Sequence, residues 1–269
     1  MPLTTRIVLG LCISAAIGAV AYRRGSLSRS GWVGAIITGT LTFGFGGWAH
    51  GITLVFFFVS STLWSRLKKS RKAALEAAVF EKGSQRDIWQ ALANGGVSAT
   101  ACVLGALMPD TLPLWNAVFV GAMATVAADT WATELGILST TPPRLITTFA
   151  SVPRGTSGAV STVGTLATCA GALATAVVFV LASWGDIPWV LVLIGAVAGV
   201  VGSLSDSLMG ATVQRLFQSQ HGLTERAYAA DGQPHPLVRG WRWMNNDAVN
   251  GISAVLGAGC AGMLWWLIR

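Results

Sequence analysis

The amino-acid sequence predicts an all-α fold, a polytopic membrane helical bundle of about eight transmembrane helices in a single integral-membrane domain over residues 1–269. Its residues are 53% hydrophobic and only 11% charged, which is far more apolar than a water-soluble domain tolerates. Apolar stretches of about 17–25 residues recur along it, each long enough to cross roughly 30 Å of hydrocarbon as a helix. Tryptophans stand near many ends of these stretches, where an amphipathic ring prefers the headgroup region.

The eight helices are predicted from apolar runs that polar or glycine-rich connections separate. We expect the first to be retained, because Tyr22-Arg23-Arg24 follows it where a cleavable signal needs small residues. Tryptophans mark the later boundaries in order: Trp48 and Trp64 for the third, Trp89 for the fourth, Trp115 and Trp131 for the fifth, Trp184 for the sixth, Trp189 for the seventh, and Trp265 and Trp266 for the eighth. The predicted spans are residues 3–22, 31–47, 50–65, 88–108, 114–134, 158–184, 188–214 and 247–268.

The distribution of positive charge predicts the orientation of this bundle. Of its 18 basic residues, all except Arg6 and Arg269 lie in the connections after the first, third, fifth and seventh helices. Cytoplasmic connections carry such an excess, so both termini should be extracytoplasmic and the long connections cytoplasmic. The net charge of +7 therefore reflects topology, and a nucleic-acid partner is not expected. The basic run in 66–87 is typical of a segment near anionic lipid, with phosphate binding as the alternative.

A short pattern recurs where four helices should begin at the cytoplasmic side: Ser30-Gly31, Asn94-Gly95, Ser157-Gly158 and Asn250-Gly251. It indicates possible helix-pair repeats. Serine or asparagine near a helix start can cap free N–H groups, and glycine permits close approach of a ligand. Helix N-termini that converge on one place would favour phosphate, although ordinary capping and small-residue packing explain the same pattern.

Three carboxylates lie at similar predicted depth on different helices: Asp129, Asp206 and Asp247. An ionisable group within a membrane helix costs about 2.5–3.5 kcal/mol on insertion scales, so such a group is functional or paired. Because no lysine or arginine lies beside these carboxylates inside the predicted spans, a metal ion is the favoured counter-charge. Oxygen ligands from separate helices suit Mg²⁺. For Asp247, capping of the last helix is a simpler alternative.

The connection before the sixth helix combines hydroxyl groups, glycines and a guanidinium group, as an anion clamp would. Arg154 could bind phosphate through two hydrogen bonds. The other members of this predicted clamp are Thr147, Thr148, Gly155, Thr156, Ser157 and Gly158. No phosphate-binding loop of the G-x-x-x-x-G-K-[ST] type is present, so any use of a nucleotide follows another scheme.

Together these motifs resemble a broad integral-membrane family that includes the plant phytyl-phosphate kinase of tocopherol synthesis. The resemblance covers essentially the whole chain, in order. It rests on the stretches Ala128–Gly136, Arg144–Thr148, Gly155–Ser161, Ser205–Thr212 and Asn245–Asn250.

The resemblance implies a kinase that transfers a phosphoryl group from a nucleoside triphosphate, with CTP favoured, to an isoprenyl monophosphate such as phytyl, geranylgeranyl or farnesyl phosphate. The reaction would take place at the cytoplasmic membrane face. Mg²⁺ would be held by Asp129, Asp206 and Asp247, with Glu134 as a further ligand, and Arg154 would offset charge. Phosphates would be oriented by Asn94, Thr147, Thr148, Gly155, Thr156, Ser157, Gly158, Ser207, Asn246 and Asn250.

Two other functions remain open on sequence grounds. A transferase that attaches CMP to a lipid phosphate would use the same metal and nucleotide. A transporter of a phosphorylated lipid could also combine repeats with intramembrane carboxylates, although transporter sites commonly lie at the midplane and these polar residues crowd one face.

Overall fold

The computed structural model describes residues 1–67, 81–82, 85–220, 222–229 and 231–269, and within these ranges the chain forms eight α-helices. They agree with the predicted spans to within four residues when the π-helix Thr42–Gly46 is counted with α2. The all-α bundle is thus confirmed. The helices are α1 Leu3–Arg23, α2 Arg29–Leu41, α3 Trp48–Arg66, α4 Ile88–Leu107, α5 Leu112–Gly136, α6 Thr162–Leu181, α7 Val190–Thr212 and α8 Asn246–Leu267.

Six helical segments of the described ranges are long and apolar enough to cross a membrane. They are α1, α4, α5 with the preceding 3₁₀ turn Pro109–Thr111, α6, α7 and α8. The second predicted span is instead broken: α2 has 13 residues, passes into the π-helix, and stops at Gly47, whose φ is +88°. A π-helix and a left-handed glycine both interrupt the regular hydrogen-bond pattern of an α-helix.

Helix α5 is the centre of the bundle, and it packs against α4, α6, α7 and α8. Its residues from Phe119 to Ala128 are all buried. The neighbouring helices approach α5 closely because they carry small residues where they contact it. Such contacts are usual in membranes, where lipid provides no hydrophobic driving force for helix packing. A β-carbon added at Gly202 of α7 or Gly257 of α8 would lie 2.2 or 1.9 Å from the hydroxyl oxygen of Thr125.

The residues that cap the helices differ from those of the recurring sequence pattern. Backbone N–H groups at the starts of α2, α4, α6 and α8 donate to the side chains of Ser28, Asp87, Ser161 and Asn245. Ser30, Asn94, Ser157 and Asn250, the candidate caps of the recurring pattern, therefore do not cap these helices. Asn94 and Asn250 lie inside their helices, and Ser157 precedes the strand Ala159–Val160. Asp247 is in the first turn of α8 but does not cap it.

The connections carry short strands that the sequence analysis did not predict. In the connection between α5 and α6, β1 (Arg144–Leu145) pairs with β2 (Ala159–Val160). Between α7 and α8, β3 (Leu216–Ser219) pairs with β4 (Gly222–Thr224) and β5 (Leu237–Arg239) in an antiparallel sheet. Contacts such as Arg66 Nη2 to the Arg24 carbonyl oxygen (3.0 Å) and Arg215 to Glu81 (2.8 Å) bring the connections together at one end of the bundle.

Candidate functional site

A polar cavity of about 290 Å³ opens at the end of the bundle where these connections meet. Residues of α4, α5, α6, α7 and α8 line it together with the connections. The structure brings to this cavity most of the residues that the sequence analysis selected: Asn94, Asp129, Glu134, Arg154, Gly155, Thr156, Ser157, Gly158, Asp206, Ser207, Asn246, Asp247 and Asn250.

Thr147 and Thr148 are the exceptions, and the structure does not place them at the cavity. Both are exposed in the tight turn that follows β1. The turn closes through a hydrogen bond from the Phe149 N–H to the Leu145 carbonyl oxygen (2.8 Å), and Phe149 itself has a φ of 55°. Formation of the hairpin thus separates these two threonines from the later half of the predicted clamp.

The later half of the clamp packs against α7. Gly158 has a φ of +81°, and a β-carbon there would lie 2.3 Å from the backbone nitrogen of Ala211, so glycine is required sterically. The Thr156 hydroxyl donates to the Pro153 carbonyl oxygen (2.7 Å), and Arg154 donates to the Thr140 carbonyl oxygen (3.0 Å). These bonds fix the shape of the connection and leave the oxygen lone pairs of its hydroxyls available to a ligand.

The carboxyl groups of Asp129 on α5 and Asp206 on α7 lie next to each other at the floor of the cavity. The hydroxyl of Ser253 on α8 lies beside Asp206. Asp206 Oδ2 is buried and has no hydrogen-bond partner among the described residues. Leaving such an atom unsatisfied costs about 1–3 kcal/mol, more when it is charged, so the pair is suited to a cation or a hydrogen-bonding ligand.

Asp247 has a different environment from this pair. Its Oδ2 forms a salt bridge with Lys82, whose ammonium group also lies 2.7 Å from Asp87 Oδ2. Burial opposes the charged form of Lys82, but hydrogen bonds with Asp247 and Asp87 outweigh it, and the pKa of Lys82 is raised. Lys82, which comes from a connection, therefore supplies a counter-charge to Asp247, for which the sequence had favoured a metal ion.

The four predicted metal ligands do not form one cluster. Glu134 accepts a hydrogen bond from Ser65, Asp247 pairs with Lys82, and Asp129 and Asp206 lie together. Within the described part of the chain, no group of three or more His, Cys, Asp or Glu side chains could hold a metal ion.

The pair Asp129 and Asp206 nevertheless fits Mg²⁺ that arrives with a phosphate. Mg²⁺ in phosphate-transferring sites is commonly held by one or two carboxylates plus substrate oxygens and water. Besides Asp206 Oδ2, two further buried cavity oxygens lack a partner among the described residues, Asp247 Oδ1 and Asn250 Oδ1. Hard oxygen donors of this kind are the ligands that Mg²⁺ and its bound water prefer.

Comparison with known proteins identifies the family of this chain. The family described as "Integral membrane protein DUF92" matches residues 12–258. The chain belongs to the DUF92 family. This confirms the integral-membrane family that the motifs predicted. The DUF92 match covers the whole cavity, since the lining residues run from Ser65 to Asn250.

Several DUF92 relatives match over most of this chain. Protein PGR of Arabidopsis thaliana is 30% identical over 93% of this chain and 93% of its own length. An uncharacterised membrane protein of Methanocaldococcus jannaschii is 33% identical over 78% of this chain and 84% of its own. Protein VTE6, chloroplastic, of Arabidopsis thaliana is 32% identical over 86% of this chain and 63% of its own. No solved structure matches.

The DUF92 cavity also contains residues that the sequence analysis did not select. The Gln214 amide donates to Glu225 Oε1 (2.9 Å), and Ser157 donates to the Gln214 side chain. Burial raises the pKa of Glu225 to about 7, against the hydrogen bonds from the Glu81 N–H and Gln214. This network ties the two long connections to each other across the cavity.

Arg86 is a further residue that was missed, as was Lys82. Arg86 precedes the Asp87 cap of α4 and lines the cavity, with its guanidinium carbon 5.7 and 5.6 Å from the ring centres of Phe57 and Phe58. Burial lowers the pKa of Arg86, and the charge of Glu134 acts in the opposite direction. The basic run in 66–87 had indicated phosphate binding as one alternative, but the sequence could not single out this arginine.

Proposed function

We propose that this DUF92 protein is a phosphotransferase that phosphorylates an isoprenyl monophosphate to the diphosphate with a nucleoside triphosphate, CTP being favoured. The observation that carries the proposal is the polar cavity, in which paired carboxylates and basic groups lie at the end of apolar helices. The motif resemblance to the family of the plant phytyl-phosphate kinase supports the same activity, and membership of the DUF92 family supports the membrane setting.

The reaction that this site would support is a direct transfer. An oxygen of the prenyl monophosphate attacks the γ-phosphorus, the bond from that phosphorus to the β-bridging oxygen breaks, and the nucleoside diphosphate leaves with the electron pair. Such transfers depend chiefly on positioning and on neutralisation of charge. Because the acceptor oxygen is already ionised, no general base is required.

The charged and polar groups of the cavity have distinct physical roles in this transfer. Arg86, Lys82 and Arg154 offset the negative charge of the phosphates, and the side-chain amides of Asn246 and Asn250 orient them by donating hydrogen bonds. Asp129 and Asp206 would hold Mg²⁺, which supplies neutralisation of the phosphate oxygens when bound.

The test is incubation of the purified protein with Mg²⁺, geranylgeranyl or phytyl monophosphate and CTP that carries label on its γ-phosphate. We expect label in the prenyl diphosphate, and Asp206→Asn should reduce kcat by about 10²–10³-fold because it removes one charged group of the site. Asp110→Asn is the matched control, since Asp110 is exposed in the 3₁₀ turn remote from the cavity lining.

A parallel reaction with label on the α-phosphate separates the rival chemistry. Label in the lipid product would identify a transferase of CMP to a lipid phosphate and would contradict the kinase. Failure of every prenyl phosphate to react, by protein that is folded and binds nucleotide, would contradict the kinase. It would favour a CMP transferase for another lipid phosphate or transport of a phosphorylated lipid.

A further inference from the structure

A second cavity, of about 250 Å³, lies between α1, α2, α3 and α4 and is mostly apolar. Aliphatic, aromatic and glycine residues make up most of its lining, among them Ile13, Ile17, Phe43, Ile52 and Val55. The Thr38 hydroxyl in its wall is already satisfied by the Gly34 carbonyl oxygen (2.9 Å). The walls of this cavity therefore offer a ligand mainly dispersion contacts and removal of apolar surface from water or lipid.

The apolar cavity shares part of its wall with the polar one. Arg86, Gln90 and Asn94 line both, and Gln90 and Asn94 lie on one face of α4 because they are four residues apart. Arg86 also lines a smaller cavity of about 50 Å³ with Arg24 and Arg66. The positive charge of Arg86 thus lies at the boundary between the apolar cavity and the polar cavity, whose lining suits a phosphate.

The guanidinium group of Arg86 is held at this boundary by aromatic rings. Phe57 and Phe58, whose ring centres lie 5.7 and 5.6 Å from its Cζ, also line the apolar cavity. A buried cation is costly unless an opposite charge accompanies it. Glu134 provides some of that charge, and an anionic head group between the apolar and the polar cavity would provide more.

The depth of the apolar cavity suits a chain that descends from this boundary into the membrane. On α3 its lining runs from Phe58, beside Arg86, to Trp48. At a helical rise of 1.5 Å per residue this is about 15 Å, or half of the roughly 30 Å hydrocarbon thickness. An amphiphile with one apolar tail and a small anionic head matches both its length and its charge.

We propose that the apolar cavity between α1 and α4 holds the isoprenyl tail of the acceptor, and that Arg86, at its mouth, binds the monophosphate and presents it to the polar cavity. This rests on the proposed kinase function and adds where the acceptor lies. It assigns α1, α2 and α3, which contribute little to the polar cavity, the recognition of chain length.

The proposal predicts that narrowing the cavity changes the preference for chain length. Ile52 is about 9 Å below Phe58 along α3, so a tryptophan there should obstruct a long tail and spare a short one. We expect Ile52→Trp to lower kcat/KM for geranylgeranyl phosphate at least about tenfold relative to geranyl phosphate, whose chain is half as long. Ile37→Trp is the matched control, because Ile37 is similarly exposed (41% against 36%) but does not line the cavity.

A second measurement does not depend on turnover. A prenyl monophosphate with a photoreactive group at the tail end should label α1–α4, and unlabelled prenyl phosphate should compete. Ile52→Trp should reduce this labelling and Ile37→Trp should not.

The outcomes separate this inference from the proposed function. Labelling of α6, α7 or α8, or an equal loss of activity with both chain lengths in Ile52→Trp, would overturn the tail site even in an active kinase. Labelling of α1–α4 in a protein that makes no prenyl diphosphate would retain the tail site and reject the kinase.

Discussion

At the scale of single residues, Glu225 is the carboxyl group whose ionisation we expect to affect stability. Burial is the main cause that raises its pKa from 4.5 to about 7. Between these values the folded protein keeps a proton that the unfolded chain has released, so the free energy of unfolding falls as pH rises. The full effect is on the order of 3 kcal/mol, since one pKa unit corresponds to about 1.4 kcal/mol.

Thermal unfolding of the detergent-solubilised protein measures this effect. The Tm of the wild-type protein should decrease from about pH 5 to about pH 8. The Tm of the Glu225→Gln variant should decrease less over the same range, because the glutamine side chain does not titrate. The substitution should itself cost about 1–3 kcal/mol, since the amide can accept only one of the two hydrogen bonds that Glu225 accepts from Gln214 and the Glu81 N–H. Equal pH dependence in both proteins would contradict the assignment.

The sequence could identify some of the site at this scale and not the rest. Asp129 and Asp206 stand out because a carboxylate is costly in an apolar helix. Arg86, Gln214 and Glu225 lie in ordinary polar connections, and their importance comes from neighbours such as Phe57 that are distant along the chain. The prediction for Thr147 and Thr148 was wrong for the converse reason. Their hydroxyl groups suit an anion, but the turn after β1 holds them away from the polar cavity.

At the scale of elements, the seam between α5, α7 and α8 depends on the absence of side chains opposite Thr125. We expect Gly257→Ala to destabilise the bundle by about 1–3 kcal/mol, the usual cost of an extra methyl group in a packed core. A β-carbon there would lie 1.9 Å from Thr125 Oγ1 and 3.1 Å from the Ala198 carbonyl oxygen. Loss of Tm measures the effect.

Gly259→Ala is the matched control for this prediction. It is on the same helix, two residues away, and a β-carbon there would meet nothing within 4 Å. Because alanine favours helix formation over glycine, its Tm should be unchanged or slightly higher. A similar loss in both variants would show that helix flexibility, and not the contact with Thr125, accounts for the destabilisation.

The helices themselves were predictable, because a span needs only a long apolar run and aromatic residues at its ends. Their caps were not, since Ser28 and Ser161 compete with nearby serines of equal chemical suitability and the backbone path decides between them. The break at Gly47 and the sheet of β3, β4 and β5 were also missed. These features have too few residues to produce a periodic pattern.

At the scale of the whole molecule, the charge distribution predicts that the polar cavity opens to the cytoplasm. We expect a membrane-impermeant thiol reagent to label Asp110→Cys from outside intact cells and Thr148→Cys only after permeabilisation, in a chain whose four cysteines are replaced. Asp110 and Thr148 are both exposed, Thr148 beside the cavity end and Asp110 in the turn between α4 and α5. The reverse pattern would place the cavity outside.

The gathering of the selected polar residues at one cavity was foreseeable from charge and motif order, whereas the apolar cavity was not. Residues such as Ile52 and Phe43 look like any other membrane-facing or core residues in the sequence. Only the packing of α1–α4, with the break at Gly47, leaves space between them. A cavity that side chains leave unfilled cannot be predicted from amino-acid composition.

The lining residues of the polar and apolar cavities occupy different parts of the chain, and this sets the order in which they are synthesised. The residues that line the apolar cavity end at Gly95, whereas the lining of the polar cavity extends to Asn250. Within the polar cavity, Lys82 pairs with Asp247, which lies 165 residues further along the chain. At about 5–20 residues per second, a ribosome takes roughly 10–30 s over that interval. During biogenesis every residue that lines the apolar cavity is thus synthesised well before the last residues of the polar cavity.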